Sequence, residues 1–429
     1  MQSTRYRRPG LVVREHVLPV PLDHARPDGE RIDLFARELV DSDREHDELP
    51  WLLWLQGGPG NRAERPGQVS GWLARALREF RVVLMDQRGT GRSTPATRQT
   101  LPERGDAKAQ AAYLTHFRAD SIVRDGEVLR RTLAGDDARW TLVGQSFGGF
   151  CVLSYLSFAP DGVREAIVTG GLPALEGGPD PVYRSTYEQV ARRNAAYFAR
   201  YPDDQRRARD VARHLTGTAE RLPTGEVLTA RRFQTAGMVL GNAARFDAFH
   251  DLLEDPFATS GGTRVLNDTF LHAVSAMVSF ADRPLYALLH EPCWCQGEAA
   301  NWSAERTRAE RGGEFAAAAD TFRFTGEMVY PWQYDEDPAL VPLRDTAYLL
   351  AEKDDWPALY DVDRLAANEV PVAAAVYVDD MYVPLDHSLT TARRIGALNP
   401  WITNTHQHDG IRQDGAAVLD RMLDMVRGR

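Results

Sequence analysis

Short apolar runs alternate with helical patterns along the first third of the chain. The runs PWLLWLQ and RVVLMDQ end at turn residues, and a helical pattern from Ser70 to Arg78 lies between them. A second helical pattern, from Ser121 to Leu133, precedes the apolar run WTLVGQ, an apolar helix from Phe147 to Phe158 and the buried run EAIVTGGL. Because strands that alternate with helices lie side by side in one sheet, this pattern predicts a mostly parallel sheet.

The pattern changes between residues 173 and 340, where amphipathic helical stretches replace the strand-like runs. The alternation then returns, with the apolar run PVAAAVYV, a helical stretch, the strand-like PWITNT and a closing amphipathic helix. We therefore predict an α/β core in two parts, residues 1–172 and 341–429, interrupted by a helical cap domain at residues 173–340.

Composition and charge narrow the functional classes. The 429 residues are 43% hydrophobic and 26% charged, which is the balance of a globular protein. A net charge of -10 argues against nucleic acid as a partner, because phosphate binding needs an excess of Lys and Arg. The N-terminus lacks an apolar run of signal-peptide length and no later stretch reaches membrane-spanning length. We therefore expect a cytoplasmic protein that does not bind membranes.

The cysteines and histidines do not form a recognisable metal motif. Cys151, Cys293 and Cys295 are too few for a disulfide framework, and the last two lack a second pair to complete a zinc site. The pair His290-Glu291 would need a second histidine at the position of Trp294 to form H-E-x-x-H. No phosphate-binding glycine loop is present either. We predict reduced thiols, no metal and no cofactor.

The segment TLVGQSFGGFCVLSYL carries the strongest chemical signal. Gly144, Ser146 and Gly148 match G-x-S-x-G, with a buried strand before the motif and a helix after it. A serine on such a tight turn is exposed to a general base, and the flanking glycines let neighbouring backbone approach without Cβ clashes. The motif predicts Ser146 as the nucleophile of an α/β-hydrolase fold.

A serine nucleophile of this fold also needs an oxyanion hole. One donor is the amide after the nucleophile, here that of Phe147, and the other comes from a loop near the start of the core. The segment QGGPG, residues 56–60, directly follows the strand LLWL and supplies that loop. Its glycines leave N–H groups free to point into the site, which predicts an amide of this loop as the second donor.

Chain order in this fold places an acid after the serine and a histidine after the acid. The strand VAAAVYV runs into Asp379 and Asp380, and a later strand is followed by His406 and His408. We choose Asp380 and His408 for the triad, with Asp379 and His406 as the alternatives, because sequence does not separate neighbouring positions.

The motifs QGGPG, DQRGTGRST (residues 86–94) and GQSFGG, in this order and spacing, resemble the proline iminopeptidases of the α/β-hydrolase superfamily. The similarity spans most of the chain, and the HEPCWCQG and VDDMYV segments are similar to those of the larger bacterial members. The resemblance implies Ser146, Asp380 and His408 as the triad, with Gly58 and Phe147 as oxyanion donors. Asp380 fits because Pro384 stands four residues after it. Gln56 departs from the family pattern, which usually has histidine there.

The resemblance also implies a substrate, a peptide with N-terminal proline. A protonated secondary amine on a small apolar ring calls for a carboxylate and a hydrophobic wall. The family places these groups in the cap, where Glu291 and Glu327 stand among Trp294, Tyr330 and Trp332. We predict both glutamates as ligands of the amine.

A serine aminopeptidase that releases N-terminal proline through an acyl-enzyme is therefore the leading hypothesis. An esterase or another acyl hydrolase of this fold is the alternative, because the same triad and oxyanion hole serve esters. Cap carboxylates beside the nucleophile favour the peptidase.

Overall fold

The computed structural model describes residues 1–429, and a nine-stranded sheet forms the centre of the molecule. Two further strands, β8 and β9, form a separate hairpin. The strands are β1 (Gln2–Arg8), β2 (Leu11–Pro21), β3 (Arg31–Asp41), β4 (Trp51–Leu55), β5 (Arg81–Met85), β6 (Trp140–Gln145), β7 (Val163–Thr169), β8 (Phe257–Ser260), β9 (Thr263–Leu266), β10 (Val372–Tyr377) and β11 (Leu398–Thr403).

The order across the large sheet is β1-β2-β3-β5-β4-β6-β7-β10-β11. The six strands from β5 to β11 in this order are parallel, which confirms the predicted parallel sheet. Strands β1 to β3 pair antiparallel, and β3 joins the parallel part antiparallel to β5. These N-terminal strands have no counterpart among the predicted elements.

Helices cover both faces of the sheet. The predicted helices of the first part are confirmed as α1, α3 and α4. The helices are α1 (Gly71–Leu77), α2 (Ala107–Leu114), α3 (Ala119–Ala134), α4 (Phe147–Phe158), α5 (Pro179–Arg200), α6 (Pro202–Gly217), α7 (Ala230–Gln234), α8 (Phe246–Glu254), α9 (Asp268–Val278), α10 (Pro284–Leu289), α11 (Ser303–Glu310), α12 (Gln333–Glu336), α13 (Arg344–Glu352), α14 (Val362–Ala366), α15 (Leu385–Ala392), α16 (Gly410–Gln413) and α17 (Gly415–Val426).

The alternation of side chains along β4 shows how the two faces are filled. Leu52 and Trp54 pack on the face covered by α1 and α17, where the Trp54 ring stacks 4.0 Å from that of Trp72. Leu53 and Leu55 point to the opposite face and pack with α3 and α4. Because successive side chains of a strand point to opposite faces, a fully apolar run is what a strand buried on both faces requires.

The chain leaves the sheet after β7 and returns to it at β10. Between Thr169 and Val372 it contributes ten helices and the β8–β9 hairpin, but no strand of the large sheet. This insertion has its own apolar cluster of 30 buried residues, all but Met381 drawn from residues 183–330. The core and the insertion therefore have separate centres of packing.

The loops that follow β4 and β5 are tied together by Asp86, which is fully buried. Its carboxylate accepts hydrogen bonds from the Ala63 amide, the Arg92 amide and the Arg65 guanidinium. Asp86 thus orders the loop that continues from residues 56–60.

The three cysteines are buried and form no disulfide. No group of three or more His, Cys, Asp or Glu side chains has an arrangement that could hold a metal ion. No helix combines the length and the apolar character needed to cross a membrane.

Candidate active site

Ser146 occupies a sharp turn between β6 and α4. Its backbone angles, φ 56° and ψ -126°, lie in a region that residues with a Cβ rarely adopt. Such strain persists only where the surroundings enforce it, and it is concentrated at functional sites. The turn lies at the carboxyl end of a central parallel strand, which is where open α/β sheets bind their ligands.

The glycines of G-x-S-x-G are required by close backbone contacts. A Cβ added at Gly148 would overlap the carbonyl oxygen of Leu55 in the neighbouring strand, and one added at Gly144 would overlap that of Gly148. Gly171, after β7, leaves room in the same way for the carbonyl oxygen of Ser146. The glycines of the motif are therefore required because the turn leaves no space for a Cβ atom at these positions.

Asp380 and His408 are in direct contact. The Nδ1 atom of His408 lies 2.8 Å from Oδ2 of Asp380, and the other carboxylate oxygen accepts hydrogen bonds from the Tyr382 and Val383 amides, both at 2.9 Å. Asp380 is 1% exposed. Its carboxylate is thus fixed by backbone on one side and by the imidazole on the other.

The structure does not bring the alternative residues into this arrangement. Asp379 is exposed, and its carboxylate makes no hydrogen bond or ion pair. His406 is half-buried, and its ring neither contacts a carboxylate nor lines the cavity described next. Only Asp380 and His408 form an acid–imidazole pair at the end of β10.

Ser146 and His408 line one cavity of about 210 Å³. Gly57, Gly58 and Glu327 line it as well. The insertion contributes seven further lining residues, which are Met238, Val239, Gly241, Asn242, Arg245, Arg283 and Tyr286. The cavity is smaller than pockets for drug-sized ligands, which are about 300–1,000 Å³.

Two amides beside Ser146 are available as donors. Phe147 is the first residue of α4, so its N–H has no acceptor within the helix. The N–H of Gly58 makes no hydrogen bond in the structure. The loop is close to the turn, because a Cβ added at Gly57 would lie 3.0 Å from Cβ of Ser146. This arrangement can stabilise an oxyanion formed at Ser146.

Gln56 has a structural role in this loop. Its side-chain oxygen accepts a hydrogen bond of 2.9 Å from Nε1 of Trp54, and its carbonyl accepts one of the same length from the Gln87 amide group. The residue that departs from the family pattern thus anchors the loop to the sheet while the glycine amides stay free.

Glu327 is the predicted cap carboxylate that reaches the cavity. It accepts a hydrogen bond from the Tyr286 hydroxyl, and its Oε2 lies 3.7 Å from Nε2 of His290. Tyr183 contacts the other ring nitrogen of His290 at 2.9 Å. Burial opposes ionisation of Glu327, but the nearby imidazole of His290 and the hydrogen bond from the Tyr286 hydroxyl outweigh it and lower the pKa of this carboxyl. The cavity therefore presents a carboxylate.

Glu291 lies elsewhere, at the start of α11. Its carboxylate accepts hydrogen bonds from the Ser303 and Ala304 amides at 3.1 and 2.8 Å, and it does not line the cavity of Ser146. Burial raises the pKa of Glu291 to about 8. The structure thus places this predicted amine ligand as a cap of a helix N-terminus.

Several residues of the cavity are absent from the sequence prediction. The ring of Tyr382 packs edge-on against His408 with 4.7 Å between centroids, and its hydroxyl donates to the Met238 carbonyl. Its position two residues after Asp380 is the one sequence signal that could have marked it. Tyr286, Arg245 and Arg283 come from the insertion, whose helical pattern does not show which residues face the core.

The electrostatics of His408 follow from its partners. Burial disfavours the imidazolium, but the charge and hydrogen bond of Asp380, with the charge of Glu327, outweigh it and raise the pKa of His408 above 6.5. His408 is therefore a stronger base than a free imidazole.

Comparisons with known proteins show the family of the chain. A sequence model of the α/β-hydrolase fold matches residues 50–266. The proline iminopeptidase of Aeromonas sobria is 48% identical over 97% of this chain and 97% of its own length. The chain belongs to the proline iminopeptidase family. Proline iminopeptidase aneH of Aspergillus aculeatus is 35% identical over 96% of this chain and 92% of its own.

Solved structures of the same fold are more distant in sequence. The crystal structure of a Mycobacterium smegmatis proline iminopeptidase is 13% identical with a TM-score of 0.45, and covers 96% of this chain and 99% of its own. The predicted α/β-hydrolase fold and the family resemblance are both confirmed by the comparisons.

The contact between Gly148 and Leu55 predicts a large effect of one methyl group. Gly148→Ala should lower the free energy of unfolding by about 3 kcal/mol, because the added Cβ overlaps backbone that cannot move aside. Gly217→Ala is the control, since no atom lies within 4 Å of a Cβ added at this position near the end of α6. It should be neutral or slightly stabilising. Thermal and denaturant unfolding measure both, and equal stabilities would contradict the steric argument.

The raised pKa of His408 predicts the acid limb of the pH profile. If neutral His408 is the required base, kcat/KM should fall as pH decreases through a pKa above 6.5. Asp380→Asn should move this limb to lower pH and reduce kcat by about 10³-fold or more, because the imidazolium loses its carboxylate.

Asp379→Asn is the matched control for Asp380→Asn. It should change neither the acid limb of the pH profile nor kcat. NMR titration of the His408 ring gives the same pKa without relying on activity. An unchanged His408 pKa in Asp380→Asn would contradict the assignment.

Proposed function

We propose that this protein is a serine aminopeptidase that releases N-terminal proline from peptides. The observation that carries the proposal is a small cavity in which Ser146, a carboxylate-supported His408 and the ionised Glu327 meet. Membership of the proline iminopeptidase family supports the same reaction.

The reaction begins with attack of Ser146 Oγ on the carbonyl of the N-terminal residue. His408 takes the hydroxyl proton through Nε2, since Nδ1 is held by Asp380. The amides of Gly58 and Phe147 donate to the oxyanion of the tetrahedral intermediate. Because both donors are fixed by the fold, no reorganisation is needed as the charge develops.

Collapse of this intermediate breaks the peptide bond. His408 returns its proton to the leaving amine, and the proline carbonyl stays bound to Ser146 as an ester. A water molecule, deprotonated by His408, then attacks the ester through a second tetrahedral intermediate. Free proline leaves, and Ser146 regains its proton.

Glu327 selects the substrate by charge. An N-terminal proline carries a protonated secondary amine, and the Glu327 carboxylate that lines the cavity stabilises that charge. The hydroxyl of Tyr286 and the ring of His290 hold the carboxylate in place. An internal peptide segment has no backbone amine of this kind, so only the N-terminus of a peptide gains this interaction.

The insertion has a defined part in this proposal. We propose that residues 173–340 form a cap domain between core parts 1–172 and 341–429, as its separate apolar cluster supports. The cap supplies Glu327 and the wall of the cavity, and the core supplies the triad. We further propose that this protein acts on peptides and binds neither nucleic acid nor membranes. We also propose that it acts in the cytoplasm.

A kinetic panel of p-nitroanilides of proline and alanine, with p-nitrophenyl acetate as an ester, tests the function. Proline anilide should give the highest kcat/KM, because it alone combines the amine with the small ring. Ser146→Ala should reduce turnover at least about 10³-fold. Ser154→Ala, a buried serine of α4 without a hydrogen-bond partner, is the control and should retain activity. A clear preference for the ester would favour the esterase alternative.

The two cap glutamates should respond differently to neutralisation. Glu327→Gln should reduce kcat/KM for proline anilide by about tenfold to a hundredfold, chiefly through KM, because it removes a charge-assisted hydrogen bond to the amine. Glu291→Gln is the control and should keep the kcat/KM of the original protein, since Glu291 does not line the cavity. Its stability should fall, because the Gln oxygen can accept only one of the two amide hydrogen bonds. Equal losses in both variants would refute the role of Glu327.

A further inference from the structure

The cavity of Ser146 is lined by two guanidinium groups that have no hydrogen-bond or ion-pair partner. Three arginines line it, and one of them, Arg412, bonds to Glu64 and to the Gln145 side chain, at 2.8 and 2.9 Å. The side chains of Arg245 and Arg283 make no hydrogen bond and no ion pair. The Nε atom of Arg283 is buried without any acceptor. Buried polar groups in folded proteins nearly always have a partner, so this atom marks a place for one.

The two arginines approach the cavity from different parts of the insertion. Arg283 directly precedes α10, and its guanidinium carbon lies 5.9 Å from the ring centroid of Tyr286. Arg245 directly precedes α8, lines the cavity and is exposed. Two guanidinium groups at one small cavity repel each other unless an anion lies between them. The forked donors of a guanidinium match a carboxylate in particular.

Neither acidic side chain of the cavity forms an ion pair with these arginines. Glu327 is bound by Tyr286 and His290, and Asp409 accepts hydrogen bonds from the Asn242 and Gln413 side chains. The cavity therefore has a carboxylate for the amine of a substrate and, separately, two free cations. This is the charge pattern that complements a short zwitterionic peptide.

The cavity also adjoins a larger groove. The cavity of about 210 Å³ shares Arg283, Arg412, Gln56 and Asn61 with an adjoining open groove of about 1150 Å³. Arg283 thus stands where the cavity meets the groove. A residue that follows proline would reach this boundary, and its carboxylate would enter the range of both arginines.

We propose that Arg245 and Arg283 bind a carboxylate on the residue that follows the N-terminal proline. This inference rests on the proposed function. The carboxylate is either the C-terminus of a dipeptide or the side chain of an acidic second residue. In both cases the arginines raise kcat/KM for anionic substrates over neutral ones of the same size.

The test compares kcat/KM for matched pairs of substrates. Pro-Gly against Pro-Gly-amide isolates the terminal carboxylate, and Pro-Asp-amide against Pro-Asn-amide isolates the side-chain carboxylate. The original protein should favour the anionic member of at least one pair by about tenfold. The pair that shows the preference identifies the source of the carboxylate.

Arg245→Gln and Arg283→Gln should each reduce that ratio by about threefold to tenfold, with KM of the anionic substrate rising. Arg283→Lys should retain part of the preference for the anionic substrate, because lysine keeps the positive charge but lacks the two parallel N–H donors of the guanidinium group. The control is Arg192→Gln, an exposed arginine of α5 outside the cavity and without an ion pair. It should leave the ratio unchanged.

A ratio near one for both pairs in the original protein would overturn the proposal, as would an unchanged ratio in both Gln variants. Because the ratio is taken within one enzyme preparation, partial misfolding of a variant does not affect it. If the proposed function itself is wrong, the result differs from both of these outcomes, because the original protein would then not cleave proline anilide.

Discussion

The position of Ser146 depends on backbone segments that approach more closely than any Cβ atom allows. Leu55 of β4, the start of α4 and the Gly170-Gly171 segment after β7 meet at this turn. Glycine at 144, 148 and 171 makes the contacts possible, and they in turn hold Ser146 at φ 56°. The strain at one residue is thus maintained by the packing of a whole sheet.

The charged groups of the cavity lie close to the same turn at Ser146. His408 lies near two carboxylates, that of Asp380 at Nδ1 and that of Glu327 from the insertion, and both favour its protonated form. Glu327 in turn stays ionised because His290 and Tyr286 bind it. The core and the insertion therefore share one electrostatic site, although each has its own apolar centre.

The core elements of this site could be predicted from sequence because each is a local feature. Ser146 follows a buried strand and precedes a helix, and Asp380 and His408 follow strands in a fixed order, so strand ends alone bring them to one edge of the sheet. The insertion follows no such rule. Glu327 and Glu291 have similar aromatic surroundings in sequence, yet only Glu327 reaches the cavity, because tertiary packing decides which loop of a helical segment faces the core. The sequence did not predict Arg245, Arg283 and Tyr286 as cavity residues, because tertiary packing also decides which of these segments faces the core.

The sheet is open, so it has two edges, and each is unsuited to pairing with another chain. At one edge, β1 is exposed along its whole length and carries Arg8 together with Arg5 and Arg7, which form ion pairs with Glu45. Charged side chains on an edge strand disfavour the addition of a further strand. At the other edge, β11 contains Pro400, which offers no N–H for a ladder. A broad parallel sheet can therefore remain unclosed without becoming a template for aggregation.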